Sequence, residues 1–337
     1  MAAQNNAPLP DGLEIAGYRI VKKIASGGFS IVYLAYDADG NAVAIKEYLP
    51  STLALRQPGE LVPAISETNL TVFRMGLKCF FEEGRALARI SHPNVVSVIN
   101  FFRANETVYM VMGYESGRSL QDYILRRRDR GDRPIVSERF IRRMFSQVLN
   151  GLREVHANKL LHLDLKPANI YLRVDGAPIL LDFGAARQTL KTDFAKLYPM
   201  YTPGFAPPEL YFKNGTLGPW TDIYSIGASI FACMIGAPPP PADQRKTQDK
   251  VDVYLSKLEG VYSPELIKAV SWCLLLDPLA RPQSVFTLQR VLSAPVVEKQ
   301  APGLLKRVGN KWRNMFGNLV LDKRKSAAVT TILDNTQ

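Results

Sequence analysis

Cysteine is scarce in this chain of 337 residues. Its three cysteines, Cys79, Cys233 and Cys273, are far apart and each sits among apolar neighbours, which excludes a disulfide framework and a zinc site. Reduced core residues are expected. The opening Met1 to Tyr18 lacks a basic start followed by an apolar run, and Ala2 rather than glycine follows the initiator, so neither an export signal nor a myristoylation site is expected. No internal repeat is apparent. Acidic residues are in deficit, 31 against 42 Lys and Arg, giving a net charge of +11. That balance suits polyanionic ligands, acidic substrates or an anionic membrane surface. The basic residues are scattered and no recognition motif accompanies them, so nucleic acid is not an expected partner.

What is present is ample apolar content, 47% of residues, enough for a buried core over most of the chain. The most informative stretch runs from His162 to Arg187. It holds His162-Leu163-Asp164-Leu165-Lys166-Pro167-Ala168-Asn169, then a short apolar run, then Asp182-Phe183-Gly184. Asp164, Lys166 and Asn169 fall on an irregular loop, and Ile179-Leu180-Leu181 reads as a short buried strand that delivers Asp182 at its end. Such an arrangement gathers acceptors where a metal-bound polyphosphate and a hydroxyl could meet.

Several further segments read clearly. Tyr18 to Ile24 and Ile31 to Tyr36 are strand-like runs joined by Ala25-Ser26-Gly27-Gly28-Phe29-Ser30, a Gly-rich hairpin. In Val43-Ala44-Ile45-Lys46, alternation puts Ala44 and Lys46 on one face. Phe73, Leu77, Phe80, Phe81, Leu87 and Ala88 follow helical spacing, and Glu83 points with that inward face, where it wants a cation. Ser137 is placed to cap a helix whose stripe is Ile141, Met144, Phe145, Val148, Leu152 and Val155. Lone His156 near that helix's end reads as structural. A helix from Asp222 to Ile235 is apolar nearly all round yet shorter than the roughly 20 residues a membrane span requires, so it is expected to be buried.

Together these motifs resemble the eukaryotic-type serine/threonine protein kinases, in family order from about Tyr18 to Leu292, with a bacterial member the nearest match in style. The resemblance implies an α+β, two-lobed fold: a β-rich N-lobe at 18–112, a hinge at 113–117 and a mostly helical C-lobe at 118–293. A flexible leader, 1–17, and a basic tail, 294–337, flank it. It implies transfer of the ATP γ-phosphoryl group to Ser or Thr hydroxyls of proteins, autophosphorylation included. Asp164 would orient the hydroxyl and accept its proton, Lys166 would steady the γ-phosphate, and Asn169 and Asp182 would hold Mg²⁺, or Mn²⁺ in its place. Lys46, paired with Glu83, would position the α- and β-phosphates. Ile24, Gly27, Gly28, Val32, Ala44, Met112 as gatekeeper, Gly113 and Glu115 would line the nucleotide site. Thr202 would sit beside Asp164 and Lys166, and Arg281 would pair with Glu209.

Departures from the family pattern set further expectations. Two of the three hairpin glycines are replaced, by Ala25 and Ser30, and Leu163 stands where arginine often precedes the catalytic aspartate. Leucine cannot receive an activation-segment phosphate, so activity is expected not to depend strongly on phosphorylation of Thr189, Thr192 or Tyr198. The same departures motivate the alternative class, an ATP-binding pseudokinase or scaffold. The segment Glu47 to Val72 is long for the family and is expected to be a regulatory or docking insert. Arg126 to Pro134 reads as a solvated loop, with a docking surface for acidic substrates as the alternative. In the tail, Leu304, Leu305, Val308, Trp312, Met315, Phe316 and Leu319 make one stripe opposed by Lys306, Arg307, Lys311 and Arg313. This basic amphipathic segment, 303–319, would lie on an anionic membrane, bind a partner groove or fold back on the C-lobe. Thr331-Ile332-Leu333-Asp334 has the Thr-x-x-Asp form that forkhead-associated domains read once the threonine is phosphorylated. The expected location is cytoplasmic, with the inner membrane face as an alternative.

Overall fold

In the computed structural model, residues 6–183, 201–211 and 215–293 are described. The 303–319 stripe, Thr331, Thr189, Thr192 and Tyr198 lie outside them. Strand-forming runs fold into a six-stranded antiparallel sheet of order β1-β2-β3-β4-β8-β7. Its strands are β1 (Glu14–Ile15), β2 (Tyr18–Ser26), β3 (Ser30–Tyr36), β4 (Ala42–Tyr48), β7 (Val98–Ala104) and β8 (Thr107–Gly113). Between β4 and β7 come the short β5 (Ala54–Leu55), β6 (Ala64–Ile65) and the helix α1 (Glu67–Leu87).

The pleat gives the sheet two different faces. Ala44 pairs with Leu34 and Met112, and Lys46 with Val32 and Met110, so these residues share the face that α1 packs against. Tyr33, Ile45, Glu47 and Tyr109 share the other. The chain on either side of the sheet covers that second face: Leu9 is 1% exposed, the Ala7 amide donates to Arg56 O and Arg56 Nε donates back to Ala7 O, and Asn6 bonds Leu49 O, Ala54 O and the Arg56 amide. This corrects one expectation and adds to another. Residues 6–17 are a packed strap rather than a flexible leader, because Leu9 has an apolar site to fill and β1 pairs with β2. The 47–72 segment is partly core, since Arg56 is fully buried against Glu47 at 2.5 Å, with Tyr33 and Tyr109 hydroxyls also donating to that carboxylate. On α1, Phe81 and Ala88 lie outside the buried stripe, Phe81 being 41% exposed.

The larger lobe is built from β9 (Gly117–Ser119), α2 (Leu120–Asp129), α3 (Glu138–Ala157), β10 (Ile170–Arg173), β11 (Pro178–Leu180) and α4 (Pro219–Ile235). Beyond these come α5 (Ala242–Arg245), α6 (Val251–Ser256), α7 (Pro264–Cys273) and α8 (Val285–Leu292). Ser137 caps α3 as expected, accepting the Phe140 amide, and α4 is buried along nearly its whole length. Arg127 and Arg128 are not merely solvated: Arg127 donates to Ile135 O and Arg128 to Gly236 O, tying α2 to its neighbours. Among the described residues no helix is long and apolar enough to cross a membrane.

Candidate active site

The site forms where the inner sheet face meets the loop between α3 and β10. Lys166 opens a single 3-10 turn, Pro167–Asn169, whose proline presets the first helical φ and needs no N–H partner. This turn aims three side chains at one point. Lys166 Nζ lies 2.7 Å from Asp164 Oδ2 and 2.8 Å from Thr202 Oγ1, and the Thr202 hydroxyl donates to Asp164 Oδ1 at 3.1 Å. Asn169 Nδ2 donates to the Asp164 carbonyl at 2.9 Å and to Oδ2 at 3.1 Å, which leaves the Asn169 amide oxygen as an acceptor. Thr202 is thus where the sequence placed it.

Across from this cluster, Lys46 ion-pairs with Asp182 and stands 5.7 Å over the Phe80 ring. Asp182 keeps 46% of its side chain exposed, and Lys46 only 10%. The protein atoms crowded round the Asp182 carboxyl oppose its ionisation although its outer edge is open, but the Lys46 charge and hydrogen bond outweigh this and hold the carboxyl below its usual range. Glu83 is buried on α1, 5% exposed, on the sheet-facing side. Ala44, Val32 and Met112 line the same face as Lys46, whereas Ile24 is 41% exposed on β2. At Gly27 and Gly28 a Cβ would meet nothing within 4 Å, so the hairpin overhangs open space. Glu115 is held by a bidentate pair with Arg173 at 2.7 and 2.9 Å, which fastens the hinge to β10. Gly113 donates its amide to Ser97 O at 3.0 Å.

Two residues beside the reacting groups are strained. Leu163 has φ of 62° and Asp182 of 57°, left-handed conformations that cost a non-glycine residue about 1–3 kcal/mol. Asp222, on α4 and wholly buried, maintains the first: its carboxylate accepts the amides of His162 at 2.9 Å and Leu163 at 2.8 Å, and His156 at 2.8 Å. Sequence reasoning had given Asp222 only a place in the chain. The available signal was a carboxylate on a helix apolar all round, which must have polar company. His156 proves structural, as its position suggested. The second strained residue is followed by Phe183, which packs on His162 at 4.3 Å between ring centroids. Farther out, Arg281 clamps Glu209 at 2.7 and 3.0 Å and lies 4.9 Å over the Tyr224 ring, forming the expected pair.

A β-sheet lobe with one main helix over a helical lobe, with lysine and two aspartates facing across the cleft, defines a protein kinase. Residues 18–296 match the protein kinase domain, and the chain belongs to that family. A solved structure described as the apo form of PpkA-294 superposes with a TM-score of 0.72 at 34% identity, covering 85% of this chain and 99% of that one. A mutant kinase domain of Mycobacterium tuberculosis PknI gives a TM-score of 0.58 at 21% identity, covering 85% and 98%, a likeness of fold. In sequence the chain is 28% identical over 228 residues to the carbon catabolite-derepressing protein kinase of Saccharomyces cerevisiae, covering 67% of this chain and 32% of that protein. It is 26% identical over 269 residues to a probable serine/threonine-protein kinase KIN1 homolog of Enterocytozoon bieneusi (strain H348), covering 78% and 40%. The chain therefore spans about a third to two-fifths of these curated relatives. Use of ATP and a divalent metal is general to the family.

Proposed function

We propose that the chain transfers the γ-phosphoryl group of ATP to serine or threonine hydroxyls of proteins. The observation that carries this reading is the Asp164, Lys166, Thr202 and Asn169 cluster, closed by hydrogen bonds, with Asp182 beside it and Lys46 reaching Asp182 from the sheet across the cleft. Asp164 Oδ2 is engaged by Lys166 and Asn169, while Oδ1 accepts from Thr202 alone, so Oδ1 is the freer oxygen to orient a substrate hydroxyl and take its proton. Lys166 neutralises Asp164 until a phosphate oxygen competes for it. Lys46 would bind the α- and β-phosphates and Glu83 would support it from α1. The residues fit a Mg²⁺ or Mn²⁺ ion: Asp182 and the Asn169 amide oxygen are hard oxygen donors on one wall. Such an ion supplies charge neutralisation to the polyphosphate. Gly27 and Gly28 offer backbone N–H groups with no side chain in the way, and Ile24, Val32, Ala44, Met112, Gly113 and Glu115 would hold the base. With every charged position present, a purely scaffolding pseudokinase has no structural observation in its favour.

Leu163 is 3% exposed and apolar, so an activation-segment phosphate finds no cation at that position. Activity without such phosphorylation is part of the proposal. Contacts of the 303–319 segment with an anionic membrane face, and of phosphorylated Thr331 with a forkhead-associated domain, rest on sequence alone. The test is incubation of wild type and Asp164→Asn, each phosphatase-treated, with Mg-ATP and general acceptor proteins, followed by phosphosite mapping. Wild type should label serine and threonine, and the variant should be slower by a factor of about 10² or more. Equal labelling in both would sink the catalytic assignment.

A further inference from the structure

We infer that Ser51 is a positioning residue for the nucleotide: with the Leu49 amide it pins the Gly-rich hairpin, 25–30, in place over the cleft ahead of nucleotide binding. β3 and β4 pair as far as Ser30 and Tyr48, yet the hydrogen bonding does not stop there. The Leu49 amide donates to Phe29 O at 2.9 Å and the Ser51 amide to Gly28 O at 2.9 Å, so the chain leaving β4 bonds the turn itself. Amides two apart on an extended chain face the same neighbour, which puts Leu49 and Ser51 on the hairpin side and Pro50 between them, where a missing N–H costs nothing. Ser51 Oγ adds a second donor to the same Gly28 oxygen at 3.2 Å, and a carbonyl has two lone pairs to receive both.

A serine at a turn usually bonds its own backbone within a few residues. This one reaches a carbonyl 23 residues away, while its own turn is closed without it by the Leu53 and Ala54 amides on Pro50 O, both at 3.0 Å. The segment that supplies the grip is itself anchored, since Leu49 is buried and Asn6 Nδ2 donates to Leu49 O at 3.4 Å and to Ala54 O at 3.2 Å. Each peptide unit is planar and trans, so turning Gly28 O and Phe29 O toward this segment turns the Phe29 and Ser30 N–H groups away from it. The grip therefore sets the peptide planes that a phosphate would meet. Ala25 and Ser30 fit the same design: side chains at these two ends narrow the backbone freedom that glycine would give, so the hairpin relies less on closing over a ligand and more on being set beforehand. A site ordered in advance binds more tightly, because less ordering remains to be done on association.

The role in nucleotide binding rests on the kinase reading, whereas the pinning of the hairpin does not, and two readouts separate them. Ser51→Pro removes both donors and suits the turn, because residue 51 is its second position, where the φ of proline is favoured. In the full chain without nucleotide, hydrogen–deuterium exchange of the hairpin amides should quicken by about threefold or more in this variant, with the amides of α3 unchanged. Calorimetry with ADP should show a Kd, and steady-state kinetics a KM for ATP, raised about threefold to tenfold, while kcat and the KM for the acceptor protein stay within about twofold. Ser51→Ala, which keeps the amide, should give a smaller rise and serves as the milder second variant. Ser51→Thr, which keeps both donors, should restore wild-type values. A role confined to stability would lower the unfolding midpoint without separating the two KM values. The proposal is overturned if Ser51→Pro leaves nucleotide affinity at the wild-type value, if hairpin exchange is unchanged, or if the KM for the acceptor rises as much as that for ATP. A wild type that binds no ADP would fail the kinase reading and the positioning role with it, while the exchange result decides the pinning by itself.

Discussion

Asp222 and His162 show how much of this site depends on single protonation states. Burial pushes the His162 imidazole below its usual value, against the pull of Asp222 and Asp164. Its Nε2 faces the Leu181 carbonyl at 3.1 Å, which can only accept, so the ring's one proton sits there and Nδ1 is a buried lone pair without a partner. A second proton would be a charge with nowhere to go. Asp222 is shifted the same way: burial opposes its ionisation, but His156 and the His162 amide hold its carboxyl below the usual range. Both depressed groups contribute stability that is present above their unfolded values and lost as pH falls, from about 6.5 for the histidine and about 3.9 for the aspartate. Urea unfolding midpoints should therefore decline from near pH 6.5 downward, and His162→Phe should flatten the upper part of that decline. An unchanged slope in the variant would contradict the assignment. At this scale the charged residues gathered at the cleft, Lys46, Asp164, Lys166 and Asp182, were legible because each sits in a short motif. Arg56 was not: its partners Glu47 and Tyr33 come from two different strands, and a lone arginine in a loop reads as solvated.

The element that matters most is α1, whose sides carry Glu83 and the sheet-packing stripe. Periodicity gave most of its buried side but not its start, since the helix begins at Glu67 inside the 47–72 segment, and it erred at Phe81 and Ala88, where the stripe wraps toward β7 and the helix end. Its glycines were silent in the sequence. Gly84 lies against Phe101 and Met110, and Gly76 against Tyr48, so closely that a Cβ at either site overlaps those side chains. In an exposed helix Gly→Ala stabilises by about 1 kcal/mol. Here overpacking of about 1–3 kcal/mol opposes it, and Gly84 faces two side chains held in the core. Gly84→Ala should therefore lower the thermal midpoint and, by tilting α1, raise the KM for ATP more than it changes kcat. A variant more stable than wild type would show that the helix shifts without cost.

For the whole molecule, the two-lobed α+β architecture was readable from motif order, but the coverage of the outer sheet face was not. Alternation puts Glu47 opposite Lys46, a position that normally looks into water. The strap and the 49–66 segment close over it instead, so the glutamate next to Lys46 is fixed by a desolvated Arg56. Removing one member of such a buried pair costs about 3–5 kcal/mol. Arg56→Ala should cost that much in chemical denaturation, and deletion of residues 1–9, which strips Leu9 and the hydrogen bonds that Asn6 and Ala7 make with Leu49, Ala54 and Arg56, should cost at least the roughly 1.5–3 kcal/mol of one buried leucine. A deletion with wild-type stability would mean that the strap rests on the lobe without supporting it.

The double grip of Asp222 on the His162 and Leu163 amides has a consequence for how the molecule opens. A helix remote in sequence holds the backbone of the loop between α3 and β10 from within the larger lobe's interior. Those two amides can reach solvent only when α4 leaves its seat, so their exchange is tied to the cooperative unfolding of that lobe rather than to loop fluctuation. The loop that carries Asp164 is irregular in shape, yet at this point it is as protected as the core.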